Sequence, residues 1–496
     1  MDPSDPPRST ALPAGLAIAL VAGTSAAVLV LEILAGRLLA PYVGVSLDTY
    51  TGIIGTILAG IAVGAWIGGA LADRIDPRRL LPVLLMLGGA LAVATIPIVR
   101  LVGGSSGSDG GLRIIVLAAA GFLPSATVLS AVPPAVIKLQ LRDLDVTGST
   151  VGRLSAWSTG GAIVGTFGTG FVLVATAAVT TLIVSVGIVL FVAGLAMWSA
   201  GLKTARTDVN SVLNVTALMA MAFAGLAAVG APCDTHTAYY CLSVRVDETR
   251  PSGRVLVLDD LRHSYVDLDD PTHLEFWYVR RLVDAIETAP AADDIIYLGG
   301  GGLTIPRYIR ATAPATTQTV FEIDGELIEI VEDRMGFESS ASIGIEIGDA
   351  RLELGDVADD SADIVIGDAF GSRSVPFHLA TEEYVRDIER VLRPDGVYAV
   401  NVIDKPKLKF LAAEAATLAQ VFDQVVVILG PFVTVGGGGN SVIIASDGAL
   451  DLDALGERRV TAIDFGELVD DLDAFIDGAP VLTDDFAPVD QLIAAG

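Results

Sequence analysis

The sequence predicts two differently built parts. An α-helical membrane domain of about seven transmembrane helices comes first; an α/β domain on a parallel, doubly wound sheet follows, with a small β-rich segment at its start. Three observations predict this. Residues 1–230 are nearly all Ala, Gly, Leu, Val and Ile, in blocks of about twenty, the length that crosses a bilayer as helix. Residues 231–496 alternate short apolar strands with helical patterns. The charge divides at the same place, with net +2 before it and net −30 after it in a chain of net charge −28. The expected boundaries are a membrane domain at 1–230, a β-rich segment at 231–285 and the α/β domain at 286–496.

In the first part, apolar runs of spanning length lie at 12–35, 50–72, 80–99, 113–137, 154–174, 177–199 and 210–230. A soluble core has no use for seven such runs in succession. The first has no small-residue cleavage site and reads as a retained helix. Arg74, Arg78 and Arg79 follow the second run, Lys138, Arg142 and Arg153 the fourth, and Lys203 and Arg206 the sixth, whereas the loop 103–111 carries no Lys or Arg. The positive-inside rule therefore puts the N-terminus in the cytoplasm and the acidic domain outside a multi-pass cell membrane protein. Glycines crowd runs two and five, spacing that lets helices approach closely. Glu32, inside run one, is a costly residue in a span and is expected to pair with another helix or face a cavity; Arg37, five residues on, shares its helical face poorly. The segment Gly69–Arg79 resembles the loop between helices two and three of major facilitator transporters, departing from it at Asp76 and Pro77, and seven spans are too few for a twelve-helix carrier.

An acidic soluble part with few lysines suits high salt, which screens its self-repulsion, so a halophilic origin is expected. The same charge excludes nucleic acid as a partner. Cys233 and Cys241 stand at the junction of the two parts. They form either a short-loop disulfide, which implies an oxidising compartment, or two free thiols. Two cysteines and four scattered histidines make no standard structural zinc site, and no metal is expected.

The expected strands of the second part are Asp294–Leu298, 318–323, Ile343–Ile347, 362–366 and 397–402, with helices at 325–335 and 381–393 between them. Two more, Gln424–Leu429 and 440–445, flank Gly436–Gly439 as an antiparallel hairpin. A parallel sheet ended by a hairpin points to the class I methyltransferase variant of the Rossmann plan. Ligands on such sheets bind beyond the carboxyl ends of the strands. There the sequence places a glycine turn, Gly299, Gly300 and Gly301, where backbone can touch a ligand. Glu322 ends the second strand, where a carboxylate can accept from both ribose hydroxyls. Asp349 and Ala350 follow the third strand at the adenine side, and Asp368 follows the fourth, at the reaction centre. Nicotinamide binding would prefer Gly-x-Gly-x-x-Gly, but Leu303 and Thr304 follow the glycines here.

At these residues the chain resembles the spermidine synthases, and more closely the membrane proteins that fuse several spanning helices to a spermidine synthase-like domain. The likeness covers roughly 231–496. It is carried by Val255-Leu-Val-Leu-Asp-Asp260, the glycine run, Phe321-Glu-Ile-Asp324, Ile347-Gly-Asp-Ala350, Ala362-Asp-Ile-Val-Ile-Gly-Asp368, Thr381-Glu-Glu-Tyr-Val, Leu392-Arg-Pro-Asp-Gly396, His263–Pro271 and Leu482–Pro488. In the first span, Leu31–Tyr42 looks like the opening of those fusions. The resemblance implies transfer of an aminopropyl group from decarboxylated S-adenosylmethionine to an amine, with Asp368 as proton acceptor, Glu322 as ribose-binding acid and Asp349 as adenine-side acid. The departures all remove a contact to a cationic amine. Gly302 stands where the family's turn carries an Asp, Gly371 where its catalytic loop carries a second Asp, and Tyr239-Tyr240 where it has Tyr-Gln.

The expectation is therefore a membrane-bound, spermidine synthase-like transferase moving an aminopropyl or other alkyl group from decarboxylated S-adenosylmethionine, or from S-adenosylmethionine itself, to a small-molecule amine. Tyr239, Tyr240, His263 and Tyr265 are the expected acceptor-side residues. Two alternatives stay open: a transporter or sensor whose soluble domain binds a nucleoside or polyamine without chemistry, and a membrane-anchored methyltransferase. The lipid bilayer is the expected partner of the first part, and self-association is left open.

Overall fold

The computed structural model describes residues 12–104, 111–141, 147–201, 209–259, 261–369, 375–457 and 466–494. They divide into two compact units, Met1–Pro232 and Cys233–Gly496.

Every secondary-structure element among the first unit's described residues is a helix. Its helices are α1 (Ala14–Val43), α2 (Leu47–Arg74), α3 (Pro77–Gly103), α4 (Gly111–Gly121), α5 (Leu123–Ser130), α6 (Val132–Gln140), α7 (Thr147–Gly168), the short α8 (Val174–Thr176), α9 (Val179–Gly201) and α10 (Val209–Ala228). A π-helical turn, Thr169–Leu173, joins α7 to α8. By length and composition α1, α2, α3, α9 and α10 can each cross a membrane. The stretch Gly111–Gln140, bent by 48° at its break, makes a sixth if it is one broken span. Seven spans were expected. Run 154–174, diluted by Gly, Ser and Thr, falls on α7 and the π turn and lies outside this set. Arg142, Lys203, Arg206 and most of the loop 103–111 are outside the described residues. Asp73, in the transporter-like segment, is ion-paired with Lys138 at 2.6 Å. The packing of α7 on α1 depends on two glycines. A Cβ on Gly161 would sit 2.1 Å from the Ala22 carbonyl oxygen, and one on Gly165 would sit 2.7 Å from that of Ala26. Any larger side chain there would push the helices apart.

The second unit opens with a four-stranded antiparallel sheet of β1 (Thr235–His236), β2 (Cys241–Val246), β3 (Gly253–Leu258) and β4 (Leu261–Asp267), in that order. Cys233 and Cys241 form a disulfide that closes the first hairpin, with Cα atoms 5.6 Å apart. The main sheet contains β5 (Asp294–Leu298), β6 (Thr317–Glu322), β7 (Ile343–Ile347), β8 (Ala362–Gly367), β9 (Leu392–Asp404), β10 (Gln424–Leu429), β11 (Gly439–Ser446) and β12 (Glu467–Leu468). Its order is β12-β10-β11-β9-β8-β5-β6-β7. Strands β5 to β9 pair in parallel, while β11 runs antiparallel to both β9 and β10. This is the Rossmann-like methyltransferase plan, and the hairpin sits where the sequence put it.

Four helices carry the crossovers between the parallel strands, α12 (Thr304–Thr312), α13 (Gly325–Met335), α14 (Ala350–Gly355) and α15 (Glu382–Val391), and α11 (Trp277–Thr288) leads into β5. Apolar cores lie on both faces of the sheet, as a parallel sheet requires. One holds Leu282, Val320 and Val331; the other holds Phe321, Ile388 and Phe410. Strand order reverses between β5 and β8, so the carboxyl ends of β5, β6 and β8 border the crevice where such sheets bind ligands.

Candidate active site

The glycine turn is held from both sides. Gly299 has φ +101°, a conformation reserved for glycine, and a Cβ there would lie 2.5 Å from the Asp368 carbonyl oxygen. Its own amide donates to the Phe321 carbonyl, and that of Asp368 donates to the Leu298 carbonyl, each at 2.9 Å. On the other side, Glu322 Oε2 accepts from Gly300 N at 2.8 Å and Gly301 N at 3.3 Å, while Oε1 accepts from Asp324 N at 3.0 Å. The Glu322 carboxylate and the Asp368 backbone thus border one turn. Burial raises the Glu322 carboxyl above its ordinary range, and the three backbone N–H donors oppose that rise.

Asp368 is surrounded by neutral partners. Asn401 Nδ2 on β9 donates to its Oδ1 at 2.9 Å, and Asn440 Nδ2 on β11 donates to Asn401 Oδ1 at 2.9 Å. The Tyr278 hydroxyl of α11 donates to the His263 carbonyl oxygen at 3.2 Å and stands close enough to Asp368 to favour its charged form. Burial pushes the Asp368 carboxyl up to about 6, against the pull of Asn401 and Tyr278. A carboxylate poised there can accept a proton near neutral pH.

Tyr240, in the hairpin turn before β2, and His263, on β4, stand side by side near Glu322. The Tyr240 ring lies 6.4 Å from the His263 ring. Burial, and then the Glu322 charge, raise the Tyr240 hydroxyl well above its ordinary value. Thr237 Oγ1 donates to Asp324 Oδ2 and accepts from the amides of Tyr239 and Tyr240 at 3.1 and 3.0 Å. Ser264 Oγ accepts from Gly302 N at 2.9 Å. A Cβ on Gly302 would lie 2.7 Å from Ser264 Cβ, so the missing family Asp has no space here without rearrangement.

Tyr239, half exposed, stands beside Tyr240 with ring centroids 6.3 Å apart. Tyr265 does not join Tyr240 and His263. It is fully buried among Val255, Val257 and Phe276, and its hydroxyl donates to Asp247 at 3.0 Å. Strict alternation would place Tyr265 on the His263 face. A register shift between Leu256 and Val257 leaves His263 without a paired residue on β3 and separates the two side chains.

Asp349 caps α14, accepting from Arg351 N at 3.0 Å and Leu352 N at 3.4 Å, and its Oδ2 lies 3.0 Å from His378 Nε2. Ala350, the first residue of that helix, is buried. Asp484, in the 482–488 segment, clamps Arg351 through two 2.7 Å bonds. Gly371, expected at the second family acid, and Asp260 lie outside the described residues.

No family model matches the chain. It is 28% identical over 163 residues to the polyamine aminopropyltransferase of Vibrio vulnificus, a match covering 32% of this chain and 54% of that protein. The enzyme of the same name from Pyrobaculum aerophilum is 28% identical over 165 residues, covering 31% and 54%. Over the matched residues the chain is similar to polyamine aminopropyltransferases. Among solved structures, a probable spermidine synthase from Corynebacterium glutamicum is 25% identical, with a TM-score of 0.48, covering 51% of this chain and 97% of that one. A spermidine synthase bound to the transition-state analogue AdoDATO is 18% identical, with a TM-score of 0.37, covering 53% and 87%. The chain spans about half the length of the polyamine aminopropyltransferases it matches. Tyr278, Asn401, Asn440, Ser264 and His378 belong to the candidate site but are absent from the sequence expectations. Asn401 carried a signal, as the lone amide in the apolar run Val397–Val402.

Proposed function

We propose that the spermidine synthase-like unit is an alkyl transferase using an adenosyl-sulfonium donor and an amine acceptor, carried by a membrane-spanning unit that the charge bias orients with the acidic unit outside. The observation that carries this reading is the placement of Glu322 and Asp368 on either side of one glycine turn. Glu322 fits the donor's ribose: it is buried, and its orientation is fixed by three backbone donors. Gly299, Gly300 and Gly301 offer backbone that can approach the nucleoside, with Asp349 and Ala350 toward the adenine.

In the transfer, the acceptor nitrogen forms a bond to the donor carbon next to sulfur. The carbon–sulfur bond breaks, and its electron pair leaves with the neutral thioether. An alkylamine is mostly protonated at neutral pH, so it must shed a proton before it attacks. Asp368 receives that proton, and Asn401 and Tyr278 hold the carboxylate toward the acceptor. Tyr239, Tyr240 and His263 line the acceptor side.

The crowded Gly302 favours a second reading of the donor. Without an acid at 302, this turn offers no carboxylate to hold the amine of the decarboxylated donor and none to repel the carboxylate of S-adenosylmethionine. Methyl transfer by the same residues follows from that reading. Full-length protein, purified in detergent at high salt, should be titrated with both donors and assayed with simple mono- and diamines. Turnover by wild type and its loss in Asp368→Asn support the enzyme. Donor binding with no turnover for any amine supports the sensor reading.

A further inference from the structure

The spermidine synthase-like reading leaves Glu32 unused, and the first unit holds a second unexplained polar group near it. Glu32 is half-buried on α1 and has no hydrogen-bond or ion-pair partner among the described residues. Thr169 opens the π turn and is fully buried, and its hydroxyl also has no partner among them. Three other helical threonines behave differently: Thr24, Thr166 and Thr216 each donate to the carbonyl four residues back, at 2.8 to 3.0 Å. A buried hydroxyl left unbonded costs about 1–3 kcal/mol and calls for a reason. π turns break the regular hydrogen-bond ladder and recur at functional sites.

Helical geometry puts the two groups on one flank. Gly161 meets Ala22 and Gly165 meets Ala26, so α7 advances along α1 in the same direction. Continuing by one turn brings Thr169 level with about residue 30 of α1. Ser25 and Ser158 meet at 2.6 Å on one side of this contact. At about 100° per residue, Glu32 lies within about 20° of Ser25 around α1, and Thr169 within about 20° of Ser158 around α7. One turn beyond Glu32, the α1 backbone at Gly36 is covered by the Tyr50 ring of α2, 2.9 Å from where a Cβ would be.

We propose that Glu32, Thr169 and Tyr50 form a binding site for one monovalent cation inside the membrane unit. A carboxylate in a span is tolerated when it is neutralised, and a single positive charge does this while the threonine and tyrosine oxygens complete its shell. An alkali-metal ion and a primary ammonium group share this chemistry.

The test is thermal unfolding of the full chain in lipid nanodiscs, titrated with NaCl, KCl or n-butylammonium chloride. N-methylglucamine chloride holds the ionic strength constant. A saturable rise in Tm with one of these cations is expected. It should vanish in Glu32→Gln, and its midpoint should shift at least tenfold in Thr169→Val. The same cation should slow carbodiimide modification of Glu32 in wild type, read by mass spectrometry, which decides the matter if Glu32→Gln fails to fold. Which cation acts separates the inorganic ion from the ammonium. No saturable response to any of the three, or an equal response in wild type and both variants, would overturn the site.

Discussion

Asn401 Nδ2 donates to Asp368 Oδ1 at 2.9 Å, so the proposed proton acceptor is steadied by a neutral amide. Asn440 in turn fixes the amide's orientation, because its Nδ2 can donate only to the Asn401 oxygen. This chain keeps Asp368 basic enough to take a proton near neutrality and ionised enough to be available.

Its first consequence concerns pH. Turnover requires ionised Asp368, so the rate should rise with pH through about 6 and then level. Asn401→Ala removes a donor to the charged form. The midpoint should move upward by on the order of one unit, given about 1.5–3 kcal/mol for a hydrogen bond to a charged group. A pH–rate profile of each protein checks this.

Asp368→Asn should abolish transfer while leaving donor binding nearly intact, a loss of about 10²–10⁴-fold in rate. It should also stabilise the fold at pH 8. The native carboxyl is raised from 3.8 to about 6, so native Asp368 favours stability below pH 4 and loses that contribution as pH rises through about 6. The variant escapes the loss, which is on the order of 2 kcal/mol because Asp368 keeps some exposure. Unfolding of both proteins at pH 4 and pH 8 measures the difference, which should be present only at the higher pH.

Gly299→Ala meets two obstacles, a positive φ and the Asp368 carbonyl oxygen at 2.5 Å. The strain costs about 1–3 kcal/mol and displaces the turn between Glu322 and Asp368. Donor affinity and thermal stability should fall together, as read by titration calorimetry and unfolding.

Reduction of the Cys233–Cys241 disulfide should destabilise the second unit by about 2.5 kcal/mol, the loop-closure entropy of a short loop. The hairpin it closes carries Thr237, which holds Asp324, the neighbour of Glu322. Weaker donor binding should accompany the lower Tm under a dithiol reductant, and Cys233→Ser with Cys241→Ser should reproduce both effects.

The parallel strands were legible because each is an apolar run ending in glycine or an acid, and β10 and β11 because they flank four glycines. Glu322, Asp349 and Asp368 were legible for the same reason, since strand ends define the crevice. Tyr278, Asn440 and His378 come from a helix, a hairpin strand and a 3₁₀ turn, and no local pattern marks them; only the tertiary arrangement brings them to the acids. Tyr265 illustrates a different limit. Alternation assigns it the face of His263, but one unpaired residue in β4 undoes the parity. The span count is harder to read at run 154–174, where glycines and hydroxyls that serve helix packing dilute the apolar signal.

The most direct measurement is a structure of the full chain with a non-reactive adenosyl thioether bound. The ribose hydroxyls should lie on Glu322, with the sulfur-bound carbons facing Asp368 across the glycine turn. A nucleoside seated away from Glu322, or a sulfur remote from Asp368, would contradict this arrangement.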